Sequence, residues 1–179
     1  MRIKYSLIKI TLVLTILLNN RPLLANDTIH KAGDALQFII PGFAVGLTIY
    51  EKDGKGALQL TESMALAMGV TYALKFSVNE ERPNGGSHSF PSGHTTVSFS
   101  ATEFVWKRYG WGYGAPAFLL ASFVGYSRVD SREHYTRDVL AGAAIGILSS
   151  YIFTKPYKGW QVSVEGDTAS IGLQFSRHF

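Results

Sequence analysis

Three long stretches without a charged residue constrain the fold of this chain more than any other feature. They cover residues 35–50, 109–127 and 139–154 and consist largely of aliphatic, aromatic and small side chains. Apolar runs of this length are typical of helices that pack against other helices, whereas strands are usually much shorter. Because short polar connections separate them, these stretches predict a mainly α protein built as a helical bundle.

Periodicity and turn residues divide the chain into about five helices and a strand-like tail. The predicted helices are 34–50, 57–76, 94–108, 115–127 and 135–154. We expect Pro41 to kink or split the first helix, and Gly110, Gly112 and Gly114 to separate the third from the fourth. The third helix is predicted to be amphipathic.

The C-terminal residues follow a different pattern from the helices. Apolar and polar residues alternate at 160–164 and 170–175, on either side of a Glu-Gly-Asp sequence. A period of two around a turn sequence is typical of paired strands. We therefore predict a small C-terminal β-hairpin.

The first 25 residues have the layout of a secretory signal peptide. Basic residues precede an apolar run at 10–18, and a small residue, Ala25, follows the polar break. The run is too short to cross a bilayer, which takes about 20 residues. We expect residues 1–25 to be an export signal, with an uncleaved anchor as the alternative.

The remaining residues, 26–179, are expected to form one domain. Their number is sufficient for a single hydrophobic core, and they contain no internal repeat and no low-complexity linker. We place the core of that domain at 34–154 and its strand-like tail at 160–179.

The basic character of the chain belongs to the leader. The formal net charge is +4, from 17 basic and 13 acidic residues. Four of the basic residues and none of the acidic ones lie in the leader, so the rest is neutral and a nucleic-acid partner is not expected. The absence of cysteine excludes disulfides, thiolate zinc sites and a cysteine nucleophile.

Lys75 and Arg82 form the first of three segments in which polar residues stand beside apolar helices. Lys75 lies near the end of the second predicted helix, and Arg82 precedes Pro83 in the following loop. A compact ammonium and a planar guanidinium are a usual pair for binding a phosphate dianion. Cations at a helix C-terminus also often only complement the helix dipole, so this segment alone leaves both interpretations open.

The second segment, Pro91-Ser92-Gly93-His94, precedes the third predicted helix. Ser92 is suited to cap that helix, whose free N–H groups attract anions. Gly93 allows the backbone to approach an oxyanion closely, and His94 would lie beside it. A capped helix start with a solvated histidine explains the tetrad equally well.

The third segment contains Ser127-Arg128, then His134 and Asp138. A spacing of four brings His134 and Asp138 together on a helix. Asp138 can then accept a hydrogen bond from one ring nitrogen of His134 and leave the other as a nucleophile or base. Arg128 adds a third cation, although an ordinary surface His–Asp pair is the alternative interpretation.

The order and spacing of the three segments resemble the type 2 phosphatidic acid phosphatase / vanadium haloperoxidase superfamily. The family motifs Lys-x6-Arg-Pro, Pro-Ser-Gly-His and Ser-Arg-x5-His-x3-Asp are complete, and the resemblance extends from about residue 34 to 154. The matching positions are Lys75, Arg82, Pro83, Pro91, Ser92, Gly93, His94, Ser127, Arg128, His134 and Asp138.

The resemblance implies a metal-independent phosphatase that hydrolyses phosphate monoesters or lipid-linked (di)phosphates. His134 would attack phosphorus and form a phosphohistidine, Asp138 would orient His134, and His94 would exchange protons with the leaving alcohol and with water. The implied phosphate-binding residues are Lys75, Arg82, Ser92, Gly93 and Arg128. Because side-chain cations would replace a metal, the resemblance implies no metal and no cofactor.

Two other functions stay open on the motifs. A vanadium-dependent haloperoxidase would hold vanadate in the same pocket, although such members resemble much longer chains. A non-enzymatic envelope protein is the other alternative, since the alternation in the tail faintly resembles an outer-membrane strand.

The location of the protein follows from the leader and from hydropathy. The family includes six-helix membrane enzymes for lipid phosphates and soluble periplasmic phosphatases. With the leader there are six apolar segments, but several are short for a span, and the mean hydropathy is only +0.10. We expect an exported periplasmic protein, soluble or membrane-associated, with an inner-membrane enzyme facing the periplasm as the alternative; the sequence does not indicate the oligomeric state.

Overall fold

The described part of the chain up to residue 157 is mainly helical, as the apolar stretches predict. The computed structural model describes residues 27–157, 160–167 and 170–177. The helices are α1 (Asp27–Tyr50), α2 (Gly54–Val78), α3 (Gly93–Tyr109), α4 (Trp111–Asp130) and α5 (Thr136–Phe153). The mainly α class and the five helices are thus confirmed, while the predicted export signal lies outside the described residues.

Two backbone strands, β1 (Trp160–Asp167) and β2 (Ser170–Arg177), follow the helices and pair antiparallel. Residues 168 and 169, which would form the turn between them, lie outside the described residues, as do all side chains beyond residue 157. The C-terminal β-hairpin as a unit therefore stays a prediction.

α3 is the central helix of the bundle and packs against α1, α2, α4 and α5. Phe99, Phe104 and Val105 are at most 1% exposed, and Thr95 and Thr96 are fully buried on other sides of the same helix. Small and hydroxyl side chains allow neighbouring helices to approach closely. The prediction of an amphipathic α3 is therefore wrong, because this helix has neighbours on several sides rather than one.

Pro41 does not split its helix, and two of the three glycines expected to separate the third helix from the fourth lie inside a helix. α1 begins at Asp27 and continues through Pro41, and α4 contains Gly112 and Gly114, so that Gly110 alone separates α3 from α4. Inside a helix, a proline costs about 3 kcal/mol and a glycine about 1 kcal/mol. Packing of α1 and α4 against α3 offsets these costs, which local propensity does not include.

A buried ion pair connects the end of α3 to the start of α2. The Arg108 guanidinium donates to the Asp53 carboxylate, and the two side chains are 6% and 4% exposed. The Tyr109 hydroxyl and the Gly56 amide donate to the same carboxylate, each over 2.9 Å. Arg108 also donates to the carbonyl oxygen of Lys155, beyond α5, over 2.8 Å. This network joins three helices at the end of the bundle opposite to the start of α3.

Much of the outer surface is apolar. Large apolar side chains are exposed along α1, α2, α4 and α5, among them Phe38, Ile39, Ile49, Tyr50, Leu58, Leu119, Leu148, Tyr151 and Ile152. Among the described helices, α1 alone is long and apolar enough to cross a membrane, and only 28% of its apolar window is buried. An apolar surface of this extent indicates contact with lipid or with another protein.

Candidate active site

The three polar segments meet where α3 begins. The amide of Ser92 donates to the carbonyl oxygen of Asp138 over 3.0 Å and so joins the second segment to the third. A β-carbon on Gly142 of α5 would stand 2.5 Å from the Ser92 carbonyl oxygen, so glycine is required for this close approach. Lys75 lies against Gly93, with its Cε 3.9 Å from the position of a β-carbon there. The fold therefore brings all three segments to one end of the bundle.

His134 and Asp138 form a buried pair beside the first turn of α5. The His134 Nδ1 lies 3.5 Å from the Asp138 Oδ2, and their side chains are 3% and 0% exposed. The same Oδ2 accepts hydrogen bonds from the Ser89 hydroxyl and, over 3.0 Å, from the Tyr135 amide. Because these two donors hold the carboxylate at the helix N-terminus, it presents a fixed negative charge to Nδ1 and leaves Nε2 of His134 away from it.

The electrostatic surroundings keep the His134 ring neutral. Burial of the ring, together with the positive charges of Lys75 and Arg82, lowers the pKa of His134 to about 4, against the opposing effect of Asp138. The Nδ1 of His134 and the Oδ1 of Asp138 have no hydrogen-bond partner among the described residues. A neutral imidazole facing two cations is suited to attack an electrophilic group that those cations bind.

Lys75 and Arg82 are held by the loop between α2 and α3. The Lys75 ammonium donates to the carbonyl oxygens of His88, over 2.7 Å, and Ser89, over 3.3 Å. The Arg82 Nε donates to the Ser87 carbonyl oxygen over 3.1 Å, and its Nη1 pairs with the Glu133 carboxylate. Carbonyl oxygens of the same loop thus hold both cations, Lys75 from the last turn of α2 and Arg82 from the loop itself.

Arg128 and His94 share one carboxylate, that of Asp34 on α1. Arg128, which is 1% exposed, donates to the Asp34 Oδ1 over 2.7 Å and to the His30 carbonyl oxygen over 2.8 Å. The His94 Nε2 lies 3.2 Å from the same Oδ1, and the His30 Nε2 lies 3.6 Å from Oδ2. The first helix therefore contributes an acidic residue to the site that none of the three motifs contains.

Ser92 has a different local role from the one predicted. It stands at the N-cap position of α3, but its hydroxyl makes no capping hydrogen bond and instead accepts one from the Thr95 hydroxyl over 3.0 Å. The Thr96 hydroxyl bonds to the Ser92 carbonyl oxygen over 2.9 Å. The expectation of a side-chain cap is wrong, because buried threonines of the same turn occupy the hydroxyl and carbonyl of Ser92.

Asp34, Glu133 and Ser89 are site residues that the motif analysis does not identify. Each contacts a motif residue far away along the chain, by 94 positions for Asp34 with Arg128 and 49 for Ser89 with Asp138. Such pairs leave no periodicity or spacing in one sequence. The one available signal is that Glu133 directly precedes His134, which places its carboxylate near any group that binds there.

The arrangement offers cations, a neutral imidazole and a second histidine. Within the part of the chain that the structure describes, no three His, Cys, Asp or Glu side chains form a cluster able to hold a metal ion. Chemically, it combines a nitrogen nucleophile with guanidinium and ammonium groups that bind oxyanions. Such a set is suited to displacement at a bound phosphate or vanadate group.

Comparisons with known proteins point the same way as this geometry. A family model described as the PAP2 superfamily matches residues 84–160, which include the second and third segments. A lipid A 4′-phosphatase of Helicobacter pylori is 31% identical over 142 residues, which are 73% of this chain and 71% of that protein.

Two solved structures share the fold. The crystal structure of Aquifex aeolicus LpxE has a TM-score of 0.64 and 25% identity, with 80% of this chain and 92% of that chain covered. The structure of a transmembrane PAP2-type phosphatidylglycerolphosphate phosphatase from Bacillus subtilis has a TM-score of 0.57 and 24% identity, with 84% of each chain covered. The resemblance to the phosphatidic acid phosphatase superfamily is confirmed: with these motifs, this fold and these relatives, the chain belongs to the PAP2 superfamily.

Proposed function

We propose that this PAP2 phosphatase hydrolyses phosphate monoesters carried by lipids, through a phosphohistidine formed on His134. The observation that carries the proposal is the buried ring of His134, whose Nδ1 lies 3.5 Å from the carboxylate of Asp138. Burial, together with the charges of Lys75 and Arg82, lowers the pKa of this ring, which favours the neutral, nucleophilic form. The similarity to a lipid A 4′-phosphatase supports a lipid-linked substrate. A water-soluble phosphate ester would not require the exposed apolar surface of the helices.

In the first step, the Nε2 lone pair of His134 attacks phosphorus in line with the leaving alcohol. The bond between phosphorus and the alcohol oxygen breaks, and that oxygen takes the bond's electron pair and a proton from His94. Asp138 stabilises the positive charge that develops on the His134 ring. The products of this step are the free alcohol and a phosphohistidine.

In the second step, His94 takes a proton from water, and the oxygen of that water attacks the phosphorus of the phosphohistidine. The bond between nitrogen and phosphorus breaks, and its electron pair returns to Nε2 of His134. Inorganic phosphate leaves and both histidines regain their initial protonation states. One residue thus acts as acid in the first step and as base in the second.

Lys75, Arg82 and Arg128 are the groups proposed to bind the phosphate oxygens during both steps. Charge builds up on those oxygens in the transition state, and fixed cations in a partly buried site stabilise that charge without rearranging. The amide of Gly93 at the start of α3, beside Ser92, adds a donor with the positive end of a helix dipole. These groups supply the charge that a metal ion supplies in other phosphoryl-transfer enzymes.

The proposed location is a membrane, with the site at its surface. α1 is long and apolar enough to cross a bilayer, and its outward side chains such as Phe38 and Ile49 are 73% and 71% exposed. Asp34, near the start of α1, contacts the site, so the site lies toward one end of that helix. At that end of α1, the site residues can reach a phosphate on a lipid headgroup. The exposed apolar faces of the helices remain in the acyl region of the bilayer. A periplasmic orientation is part of the proposal and follows from the expected export signal.

The test uses the full chain in detergent micelles with dodecyl phosphate and lipid A as substrates. Rapid quenching with dodecyl phosphate labelled on phosphorus should trap a labelled protein that is stable in base and labile in acid, as expected of a phosphoramidate. His134→Gln should lose this label and at least about 10³-fold in turnover. His88→Gln, whose ring lies against Phe76 at a centroid distance of 5.1 Å, is the matched control and should keep both.

Two results would overturn the proposed mechanism. One is turnover by the wild-type protein without an acid-labile intermediate under conditions that trap one in known phosphohistidine enzymes. The other is unchanged labelling in His134→Gln. Carbonate extraction of cell membranes tests the location, because a chain that crosses the bilayer stays in the pellet.

A further inference from the structure

The Asp34 carboxylate contacts two residues of the proposed mechanism, His94, which protonates the leaving alcohol, and Arg128, which binds phosphate oxygens. Its Oδ1 lies 3.2 Å from the His94 Nε2 and accepts a hydrogen bond from the Arg128 Nη1 over 2.7 Å. His30 approaches the other oxygen at 3.6 Å. A single carboxylate oxygen therefore contacts both an imidazole and a guanidinium.

The position of Asp34 is set by tight packing of α1 on α4. A β-carbon on the neighbouring residue, Gly33, would stand 2.0 Å from the Ser127 hydroxyl and 2.7 Å from the Arg128 Nη2. Gly33 itself is buried, so α1 approaches this close only because no side chain intervenes. Asp34 thus reaches the site from a helix that is packed firmly against it.

The pair formed by His94 and Asp34 has the same chemistry as the pair formed by His134 and Asp138. In each, a carboxylate faces one ring nitrogen and leaves the other to the substrate. A carboxylate in that position selects the ring tautomer and favours the imidazolium form. For His94, Asp34 acts against burial and the charge of Arg128, which together lower the pKa of the ring to about 4. For His94, the imidazolium is the form that must be present when the alcohol leaves.

We propose that Asp34 is a positioning residue for the phosphatase reaction, which orients His94 through its Nε2 and supports the transfer of the His94 Nδ1 proton to the leaving alcohol. This inference rests on the proposed function. Asp34 touches neither the phosphate nor the alcohol, and it acts through His94. Hydrolysis of an ester whose leaving oxygen must be protonated should therefore slow when Asp34 is replaced. Hydrolysis of an ester whose leaving oxygen is stable as an anion should not.

The experiment compares two esters that differ in this need. In the full chain in detergent micelles, kcat/KM is measured for dodecyl phosphate, whose alkoxide must be protonated, and for 4-nitrophenyl phosphate, whose phenolate leaves as an anion. Asp34→Asn should lower kcat/KM for dodecyl phosphate by about 10- to 100-fold, the usual effect of removing such a partner, and that for 4-nitrophenyl phosphate by less than about threefold. Asp27→Asn, on an exposed position of the same helix, is the matched control and should leave both values unchanged.

A second measurement asks whether the effect passes through His94. With dodecyl phosphate, Asp34→Asn introduced into a His94→Gln protein should cause little further loss, because the group it serves is already absent. A further loss as large as that in the wild-type background would overturn the inference. Thermal unfolding of each variant separates these effects from loss of folded protein.

The outcomes also separate this inference from the proposed function. If the wild-type protein hydrolyses both esters and Asp34→Asn lowers both equally, Asp34 serves only Arg128 and phosphate binding, and the inference on His94 is wrong while the phosphatase function stands. An unchanged kcat/KM for dodecyl phosphate in Asp34→Asn would also overturn the inference on His94, because Asp34 would then contribute neither to the proton transfer nor to phosphate binding, and the phosphatase function would again stand. If the wild-type protein releases no phosphate from either ester, the proposed function itself fails.

Discussion

The carboxylate of Glu133 pairs with the guanidinium of Arg82 directly beside the proposed nucleophile. The amide of Asn84 donates to the other oxygen of Glu133 over 3.1 Å, so the carboxylate is held from two sides. Glu133 is the neighbour of His134 in sequence, and Arg82 is one of the cations expected to bind phosphate. An arriving phosphate therefore has to share Arg82 with a carboxylate of the protein.

Removing the charge of Glu133 should strengthen the binding of phosphate. In Glu133→Gln, Arg82 loses its partly exposed anionic partner, and such a pair contributes up to about 1 kcal/mol, which corresponds to about fivefold in affinity. We expect the inhibition constant of inorganic phosphate to fall by about that factor. Glu62→Gln on α2 is the control, since Glu62 lies 13 residues before Lys75, about 20 Å along the helix. Unchanged phosphate inhibition in Glu133→Gln would contradict competition for Arg82.

Besides burial, the cations beside His134 should influence its titration. Positive charge disfavours the imidazolium form, so removal of a cation raises the pKa of His134 from its value of about 4. In Arg82→Gln we expect a rise of about 0.5 to 1 unit, so that the ring becomes protonated at a higher pH as the solution is acidified. Ring NMR of labelled histidines, with the His134 signal assigned from His134→Gln, measures this shift.

Lys55→Gln serves as the control for that titration. Lys55 is an exposed cation at the start of α2, far from the site, and its removal should leave the midpoint of His134 unchanged. A midpoint in Arg82→Gln that equals or lies below the wild-type value would contradict the described electrostatics.

The parts of the site that lie within short segments are the parts that sequence reasoning predicts. Ser92 to His94 are consecutive, and His134 and Asp138 are four residues apart, so each set is close along the chain. His134 and Asp138 do not share a helix face as predicted, because α5 begins at Thr136; the turn before it, in which the His134 amide donates to the Arg128 carbonyl oxygen, places His134 beside Asp138. The meeting of these segments was expected only from the family resemblance. The hydrogen bond between the Ser92 amide and the Asp138 carbonyl oxygen shows how the backbone itself joins them.

The remaining features depend on tertiary packing. Asp34 reaches Arg128 across 94 residues because α1 packs on α4 at Gly33, and no local pattern contains that information. α1 likewise continues through Pro41 because its neighbours offset the cost of the proline. Predictions from periodicity treat each helix as having one neighbour, and therefore fail for α3, which lies at the centre of the bundle.

Ser89 should influence turnover through Asp138. Its fully buried hydroxyl donates to the Oδ2 that faces His134, although Ser89 itself belongs to none of the motifs. Around metal ligands, loss of a hydrogen bond that orients a supporting carboxylate costs about 10- to 100-fold in activity, and we expect an effect of similar order here. We expect Ser89→Ala to lower kcat by about tenfold with little change in KM, because phosphate binding does not involve this hydroxyl.

Ser87→Ala is the matched control for Ser89→Ala. It removes a hydroxyl from the same loop, and that hydroxyl contacts only the partly exposed ring of His88, over 3.0 Å, among its described hydrogen bonds. Its kcat should equal that of the wild-type protein. Equal effects of the two substitutions would mean that loop order, rather than the orientation of Asp138, is responsible.

The Asp53–Arg108 pair should contribute to stability without affecting catalysis. Both side chains are almost completely buried, and removal of one partner leaves an uncompensated charge in the interior. Breaking a buried ion pair in this way typically costs 3–5 kcal/mol, so we expect Asp53→Ala to lower the free energy of unfolding by about that amount. The pair lies at the opposite end of α3 from His94, so kcat of the folded fraction should stay close to the wild-type value.

Unfolding of the detergent-solubilised protein by a denaturant measures the loss of stability in Asp53→Ala. The control is Glu51→Ala, which removes a nearby carboxylate whose side chain lies outside this network. Asp53→Ala combined with Arg108→Leu should recover part of the lost stability, since the second substitution removes the unpaired guanidinium. A double variant less stable than Asp53→Ala alone would mean that Arg108 stabilises the fold mainly through its hydrogen bonds to Gln59 and to the Lys155 carbonyl oxygen. In that case the ion pair itself would not be the source of the stability at this end of the bundle.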